Sequence, residues 1–477
     1  MILTVDFGST FTKLTAIDEE AHKIAATARA FTTIETDIRD GFRAAFCELE
    51  RVIGKIEYAE KYAASSAGGG LKMVAAGLVP ELTAKAARLA ANNAGAKVLK
   101  TYSYELSDAE CEEIHGINPD IILLCGGTDG GNKEVIISNA KRIAQIDGEF
   151  AVVVAGNKSA AVTVMDELKN REAVLTANVM PSFGKLDIEP AKAAIRELFI
   201  RRIIDAKGIG AAQKMMSADI IPTPLAAFNA AELLSGELSG LMAVDVGGAT
   251  TDVYSMADGA PTKANVIVRG LVEPYAKRSV EGDLGLRYGM PTLIEAATVG
   301  RVAVEAGVAP EDVNAWLARC SKEPGALPKV LQLESRSSAS SETSLLHSGA
   351  PGFFPVPKEK CIDDALAALA VELAITRHCG TIESVYTPFG ETFLQEGKDL
   401  SDIKYIIGVG GPVIGSTDPA AVLRRACGNA QNPFSLMPRE PILLLDRSYI
   451  FAAMGLLAKT RPELALHIMK AELGEVG

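Results

Sequence analysis

The sequence carries no block of lysine and arginine along its 477 residues, and acidic side chains outnumber basic ones, 60 to 48, for a formal charge of −12. Binding to a polyanion rests on clustered cations that neutralise phosphates, so nucleic acid is a poor candidate partner. No apolar run reaches the roughly 20 residues that a helix needs to cross a bilayer. The longest runs, such as Ile121–Cys125 and Ile442–Leu445, have the length of strands. The opening Met1–Asp6 lacks the basic and apolar regions of a secretory leader, which predicts a cytoplasmic chain with no membrane contact. The 7 cysteines form no C-x-x-C pair, and their odd number argues against a complete disulfide framework. The 5 histidines are scattered at no metal-ligand spacing.

What is present is a chain of ordinary globular composition, 48% hydrophobic and 23% charged, with length for about three domains. Its two halves begin alike. Ile2-Leu3-Thr4-Val5-Asp6 leads into Gly8-Ser9-Thr10, and Leu241-Met242-Ala243-Val244-Asp245 leads into Gly247-Gly248-Ala249-Thr250-Thr251. Further β-rich runs follow each copy: Lys13–Asp18 and Ile24–Phe31 in the first, Val253–Met256 and Ala264–Val268 in the second. Strands are then expected near 57–65, 97–102, 119–125, 150–155 and 172–177. Helical patterns over Glu81–Asn93, Asn132–Ile146 and Pro190–Ile204 separate them. The second half continues with a helix over Cys361–His378, strands at Tyr405–Val409 and Ile442–Asp446, and helices over Ala420–Ala426 and Tyr449–Ala458. The pattern predicts two related α/β lobes, 1–236 and 237–477, each with inserted material. In the second lobe the insertion covers about 291–358 and holds a Ser-rich polar loop at Glu334–Glu342.

Three glycine turns at strand ends carry the chemistry. In the first, Asp6 ends a strand, the N–H groups and hydroxyls of Gly8, Ser9 and Thr10 can cradle phosphate oxygens, and Lys13 supplies a cation. Asp6 can hold Mg²⁺ through water, because that ion keeps much of its hydration shell and takes few carboxylates. The second turn repeats these devices with Asp245, Gly247, Gly248, Thr250 and Thr251, so that two facing turns would clamp a polyphosphate. The third, Gly408-Val409-Gly410-Gly411-Pro412, offers bare backbone on which a flat ring can lie. A fourth glycine turn, Gly126–Gly131, is read chiefly as a tight strand-to-helix packing turn, with a phosphate or cofactor contact through its N–H groups as the alternative, and Lys72 after Gly68–Gly70 is open in the same way.

These turns, in this order, resemble the actin, sugar kinase and heat-shock chaperone ATPase superfamily. Asp6–Lys13 is similar to its first phosphate motif, Asp245–Val253 to its second and Ile406–Pro412 to its adenosine motif. Ile221–Ala227 and Ala452–Gly455 resemble its two connecting helices, where small residues let the helices cross at a hinge. Glu281 and Asp283 lie where chaperones of the superfamily place a turn beside the ribose or base. The resemblance implies a duplicated actin-like, ribonuclease H-like α/β fold with two lobes around a nucleotide cleft, and ATP and Mg²⁺ as cofactors. Asp6, Lys13 and Asp245 become the catalytic set, with Asp6 and Asp245 at the metal.

A narrower resemblance covers the whole chain. Val5–Lys13, Ser65–Lys72, Cys125–Asn132, Ala155–Asn157, Val244–Thr251 and Glu281–Arg287 are similar to the glutamate mutase accessory proteins called MutL or GlmL, unrelated to the mismatch-repair protein of that name. It implies an ATPase that reactivates an adenosylcobalamin-dependent mutase, whose subunits would be its partners. Left open beside it are a small-molecule kinase, for which Asp129 or Asp283 would serve as base, and an activator with an iron–sulfur cluster. A filament former is the remaining alternative.

Overall fold

The computed structural model describes residues 1–33, 37–66, 72–204, 209–323, 325–328, 356–388, 390–428 and 433–477. In chain order the strands are β1 (Ile2–Phe7), β2 (Phe11–Asp18), β3 (Lys23–Phe31), β4 (Glu60–Ser65), β5 (Lys72–Gly77), β6 (Lys97–Ser103), β7 (Ile121–Leu124), β8 (Ala151–Val154), β9 (Ala173–Leu175) and β10 (Ile221–Pro222). The second half adds β11 (Leu241–Val246), β12 (Thr251–Met256), β13 (Val266–Arg269), β14 (Ala276–Glu281), β15 (Thr381–Thr387), β16 (Gly390–Glu396), β17 (Tyr405–Val409), β18 (Ile442–Asp446) and β19 (Leu473–Glu475).

The duplication seen in the sequence is a duplication of topology. One sheet runs β3-β2-β1-β4-β10 and another β14-β12-β11-β17-β18, with β19 added at its edge. In both, the first three strands pair antiparallel and the last two join in parallel. β1 is buried at every residue, as a strand covered on both faces must be, which is why it reads as a continuous apolar run rather than an alternation. The strand order 3-2-1-4-5, present twice, is that of the duplicated actin-like, ribonuclease H-like fold. Each first strand ends in aspartate at its carboxyl edge, where open α/β sheets take their ligands.

Two helices join the lobes, Thr223–Ser235 and Phe451–Leu457. They cross in backbone contact, since a Cβ added to Gly455 would lie 1.7 Å from the carbonyl oxygen of Ala226. The small residues expected at this crossing are therefore what permits it.

Between β4 and β10 the chain builds a separate parallel sheet, β6-β5-β7-β8-β9, a doubly wound order. Alternate residues feed a core on each face: Met73, Ala75 and Leu123 on one, Val74, Ala76 and Leu124 on the other. Its helix Lys85–Asn93 packs against β14 of the other lobe. Arg278, 2% exposed, makes that join: its guanidinium donates to Asp252 at 2.9 Å and to the carbonyl oxygens of Asn92 at 2.6 Å and Ala96 at 3.2 Å. Asn93 completes it by accepting from the Arg278 N–H and donating to the Ala276 carbonyl.

Two expectations change. The third strand of the second repeat is β14, not Ala264–Val268; residues 266–269 lie instead in a three-stranded sheet, β13-β16-β15. Lys277 and Arg278 make β14 read as polar, but both are buried with partners, Lys277 on the His378 carbonyl and Arg278 on Asp252. The interior strand β5 was not expected at all: Lys72-Met-Val-Ala-Ala-Gly is a weak strand former, and pairing on both sides makes up for the propensity. The expected insertion opens with helices Met290–Ala297, Val299–Ala306 and Pro310–Lys322, while the Ser-rich Glu334–Glu342 lies outside the described residues.

Removing one member of a buried ion pair leaves an uncompensated charge, at a cost of about 3–5 kcal/mol. Arg278→Met should lower the urea midpoint accordingly, since Asp252 would stay buried without its partner. A midpoint equal to the parent's would show that Arg278, set between Asp252 and the Asn92 and Ala96 carbonyls, does not hold the inserted sheet to the second lobe.

Candidate functional site

The two aspartate turns are built alike. Gly8 N–H donates to the Phe11 carbonyl at 3.1 Å, and Gly247 N–H donates to the Thr250 carbonyl at 2.9 Å. A Cβ would sit 2.6 Å from the acceptor oxygen in the first turn, which closes this tightly only with glycine, and 3.0 Å in the second, where a Cβ would need the neighbouring carbonyl to shift. The turns also face each other: a Cβ on Gly248 would lie 3.4 Å from Thr10 Oγ1, a residue of the other lobe. Ser9, Thr10, Gly248 and Thr250 are half-buried along this junction. Segment 284–289 supports the second turn from behind, with the N–H of Leu286 on the Gly247 carbonyl and those of Arg287 and Tyr288 on the Gly248 carbonyl.

Lys13 stands at the floor of the junction. Its ammonium is 3.5 Å from Asp6 Oδ2 and 3.4 Å above the centre of the Tyr449 ring. Burial works to lower its pKa, but Tyr449, Asp6 and Asp245 outweigh that and hold it above the ordinary lysine value. The other carboxylate oxygen of Asp6 accepts from Thr223 Oγ1 at 2.6 Å, which fixes the Asp6 rotamer from the first connecting helix. Burial and the neighbouring Asp252, with Asp6 and Asp446 adding to them against Lys13, push Asp245 up to about 7. Asp446, fully buried, is pushed up to about 6 by burial although it accepts the N–H groups of Ile450 and Phe451. Carboxylates from both lobes thus share one ammonium, and the surplus negative charge fits a divalent cation. Among the described residues no three metal-ligating side chains form a cage, so the donor set suits an ion that keeps water and phosphate ligands.

The remaining expected residues divide. The Thr251 hydroxyl is buried and bonded to the Leu284 carbonyl at 2.6 Å, and that of Thr250 donates to Asp252 at 3.0 Å. Glu281 and Asp283 are both held by Arg377, each at 2.8 Å. In the third turn, a Cβ on Gly408 would meet Leu423 at 2.9 Å, so this glycine serves the packing of the following helices. Gly410, at φ 93°, abuts Asp245 and Val246, whereas Gly411 has open space where a Cβ would be. Only Gly411 offers the uncovered backbone that the sequence suggested for a flat ring. The turn Gly126–Gly131 is strapped from within: Asn157 accepts from Gly130 N–H and donates to the Gly131 and Asn132 carbonyls, and Asn178 reaches Gly127 and Asp129. Lys72 is an exposed residue opening β5. His378 is enclosed between the hydroxyls of Ser255 and Ser279 and kept neutral by burial.

Sequence reasoning missed Thr223, Asp252, Asp446 and Tyr449. Thr223 and Asp252 lay inside quoted motifs, and an aspartate closing a strand before the last connecting helix was a usable signal for Asp446.

The family model described as MutL protein matches residues 2–341 and 342–473. The chain belongs to this family. A curated relative, Protein MutL of Clostridium tetanomorphum, is 43% identical over 485 positions that cover 99% of each chain. Among solved structures, a nucleotide-free acetone carboxylase is similar at a TM-score of 0.42 and 11% identity, over 96% of this chain and 70% of that one. A nucleotide-free diol dehydratase-reactivating factor is similar at 0.31 and 11%, over 96% and 99%. The strand order of the two sheets, not these distant likenesses, establishes the fold of this family member. No helix among the described residues is long and apolar enough to cross a membrane.

A carboxyl that holds its proton more tightly folded than unfolded favours the folded state at acidic pH. That contribution is lost as pH rises from the ordinary aspartate value through the folded one. For Asp245 the window runs from 3.8 to about 7. Nucleotide-free Asp245→Asn should therefore gain in melting temperature over the parent between about pH 5 and about pH 8, the gap widening with pH. A gap that does not change with pH would contradict the charge crowding described here.

Proposed function

We propose that this protein binds and hydrolyses MgATP between its two lobes and uses the change to reactivate an adenosylcobalamin-dependent mutase, such as glutamate mutase or an aminomutase. The observation that carries the reading is the meeting of the two aspartate turns, equivalent elements of two sheets of the same order, across a junction where Thr10 faces Gly248. Asp6 and Asp245 would hold Mg²⁺ through water, and the ion would neutralise phosphate charge. Lys13 and the backbone N–H groups of the turns take up the charge that develops on the transferred phosphoryl group. The Thr223 hydroxyl keeps Asp6 in the orientation this requires. Loss of the terminal phosphate removes contacts that join the turns, and the lobes rotate at the crossing of Gly455 over Ala226. Membership of the glutamate mutase accessory family supports this choice of partner. The work suits it, because releasing a tightly held damaged cofactor is uphill and needs a nucleotide that favours different lobe arrangements before and after hydrolysis.

Inactivated mutase should regain turnover when given this protein, MgATP and fresh adenosylcobalamin, and should not regain it with a non-hydrolysable analogue. Asp6→Ala and Asp245→Ala should each lower ATP hydrolysis by at least about a hundredfold. Recovery without ATP would reduce the role to passive binding. ATP-dependent phosphorylation of a metabolite without recovery would make the protein a kinase.

The adenosine turn has its own test. Because a Cβ at Gly411 would have no neighbour within 4 Å, Gly411→Val should fold normally and bind ATP at least about tenfold more weakly by calorimetry. Equal affinity would remove this turn from the site.

A further inference from the structure

Tyr449 belongs to none of the motifs, yet it touches the cation on which they converge. It lies in the turn between β18 and the connecting helix Phe451–Leu457, on the second lobe, while Lys13 lies on β2 of the first. The contact therefore spans the lobes. Its geometry is that of a cation over a ring face, 3.4 Å from ammonium to centroid, close enough for the ring quadrupole to orient the charge.

The backbone at this position is unusual. Tyr449 adopts φ 55°, in the left-handed region that bulky residues avoid. The surroundings enforce it: Tyr449 N–H donates to the Asp446 carbonyl at 3.1 Å, and the Asp446 carboxylate accepts the next two N–H groups at 2.9 and 2.8 Å. A residue comfortable at positive φ would serve the turn alone more easily, so the turn does not explain the aromatic ring. The ring's use is the ammonium above it.

We propose that Tyr449 is a positioning residue for Lys13: its ring holds the ammonium beside Asp6 at the lobe junction, where it meets the terminal phosphate of a nucleoside triphosphate. This rests on the ATPase reading. Asp6, Asp245 and Asp446 also act on Lys13, and without the ring it can settle onto any of these carboxylates. With the ring it is presented from one direction.

The test combines ATP hydrolysis with calorimetric binding of a non-hydrolysable ATP analogue. Asparagine tolerates positive φ, so Tyr449→Asn keeps the turn and removes the ring. It should lower kcat by about tenfold while analogue affinity stays within about threefold. Tyr449→Phe keeps the ring and should retain parental kcat. In the Lys13→Ala background, Tyr449→Asn should cost nothing further, since the residue it positions is gone. The proposal is overturned if Tyr449→Asn hydrolyses at the parental rate, if Tyr449→Phe is as impaired as Tyr449→Asn, or if the Tyr449→Asn and Lys13→Ala losses multiply. Should Tyr449→Asn not fold, Tyr449→Gly, which frees the backbone further, takes its place under the same criteria. A parent that binds the analogue while Tyr449→Asn retains full activity overturns this inference and leaves the ATPase reading standing. A parent that neither binds nor hydrolyses ATP overturns both.

Discussion

The Lys13 ammonium, set among carboxylates from both lobes, is the interaction on which the rest of the structure depends. Asp6 lies 3.5 Å from it, and Asp245 and Asp446 act on it from the other lobe. Buried carboxylates in excess of their cation are costly, and a fold that served stability alone would replace them with apolar side chains. The two strand ends instead deliver aspartates to the same place because they are equivalent positions of one duplicated unit. The resulting surplus charge is what the proposed function assigns to a divalent cation. The crowding that raises the proton affinity of Asp245 is the same feature that makes room for a cation.

Around that centre the molecule is tied by contacts that leave a defined freedom. The connecting helices cross where Gly455 meets Ala226, backbone on backbone, with no side chain of Gly455 between them. The inserted parallel sheet, although it leaves the chain from the first lobe, is fastened to β14 of the second through Arg278 and the Lys85–Asn93 helix. Asp252, which anchors Arg278, also accepts from Thr250 in the second aspartate turn. A chain of hydrogen bonds therefore runs from that turn to the inserted domain.

Much of this was legible in the sequence, because a strand bearing Asp before a glycine turn is a local pattern that this chain carries twice. The helix crossing was legible too, through its small residues. What escaped notice did so for physical reasons. β14 reads as polar since its lysine and arginine are neutralised by partners far away in sequence. β5 reads as nothing in particular, because its stability comes from neighbours on both sides. Thr223 and Tyr449 act on the site through tertiary geometry, Asp446 is marked only by closing a strand, and Gly408 and Gly410, counted with the nucleotide turn, pack against Leu423 and Asp245. Glu281 and Asp283 pair with Arg377, a residue no motif connects to them.

The central claim is that one MgATP sits at the meeting of the aspartate turns with its base toward Gly411. Amide hydrogen exchange, read with and without a magnesium-bound non-hydrolysable ATP analogue, tests it most directly. Protection should rise together at residues 8–10, 247–251 and 410–411 and should vanish when the metal is chelated. Protection that leaves these three turns unchanged, or that appears instead at Gly126–Gly131, would contradict it.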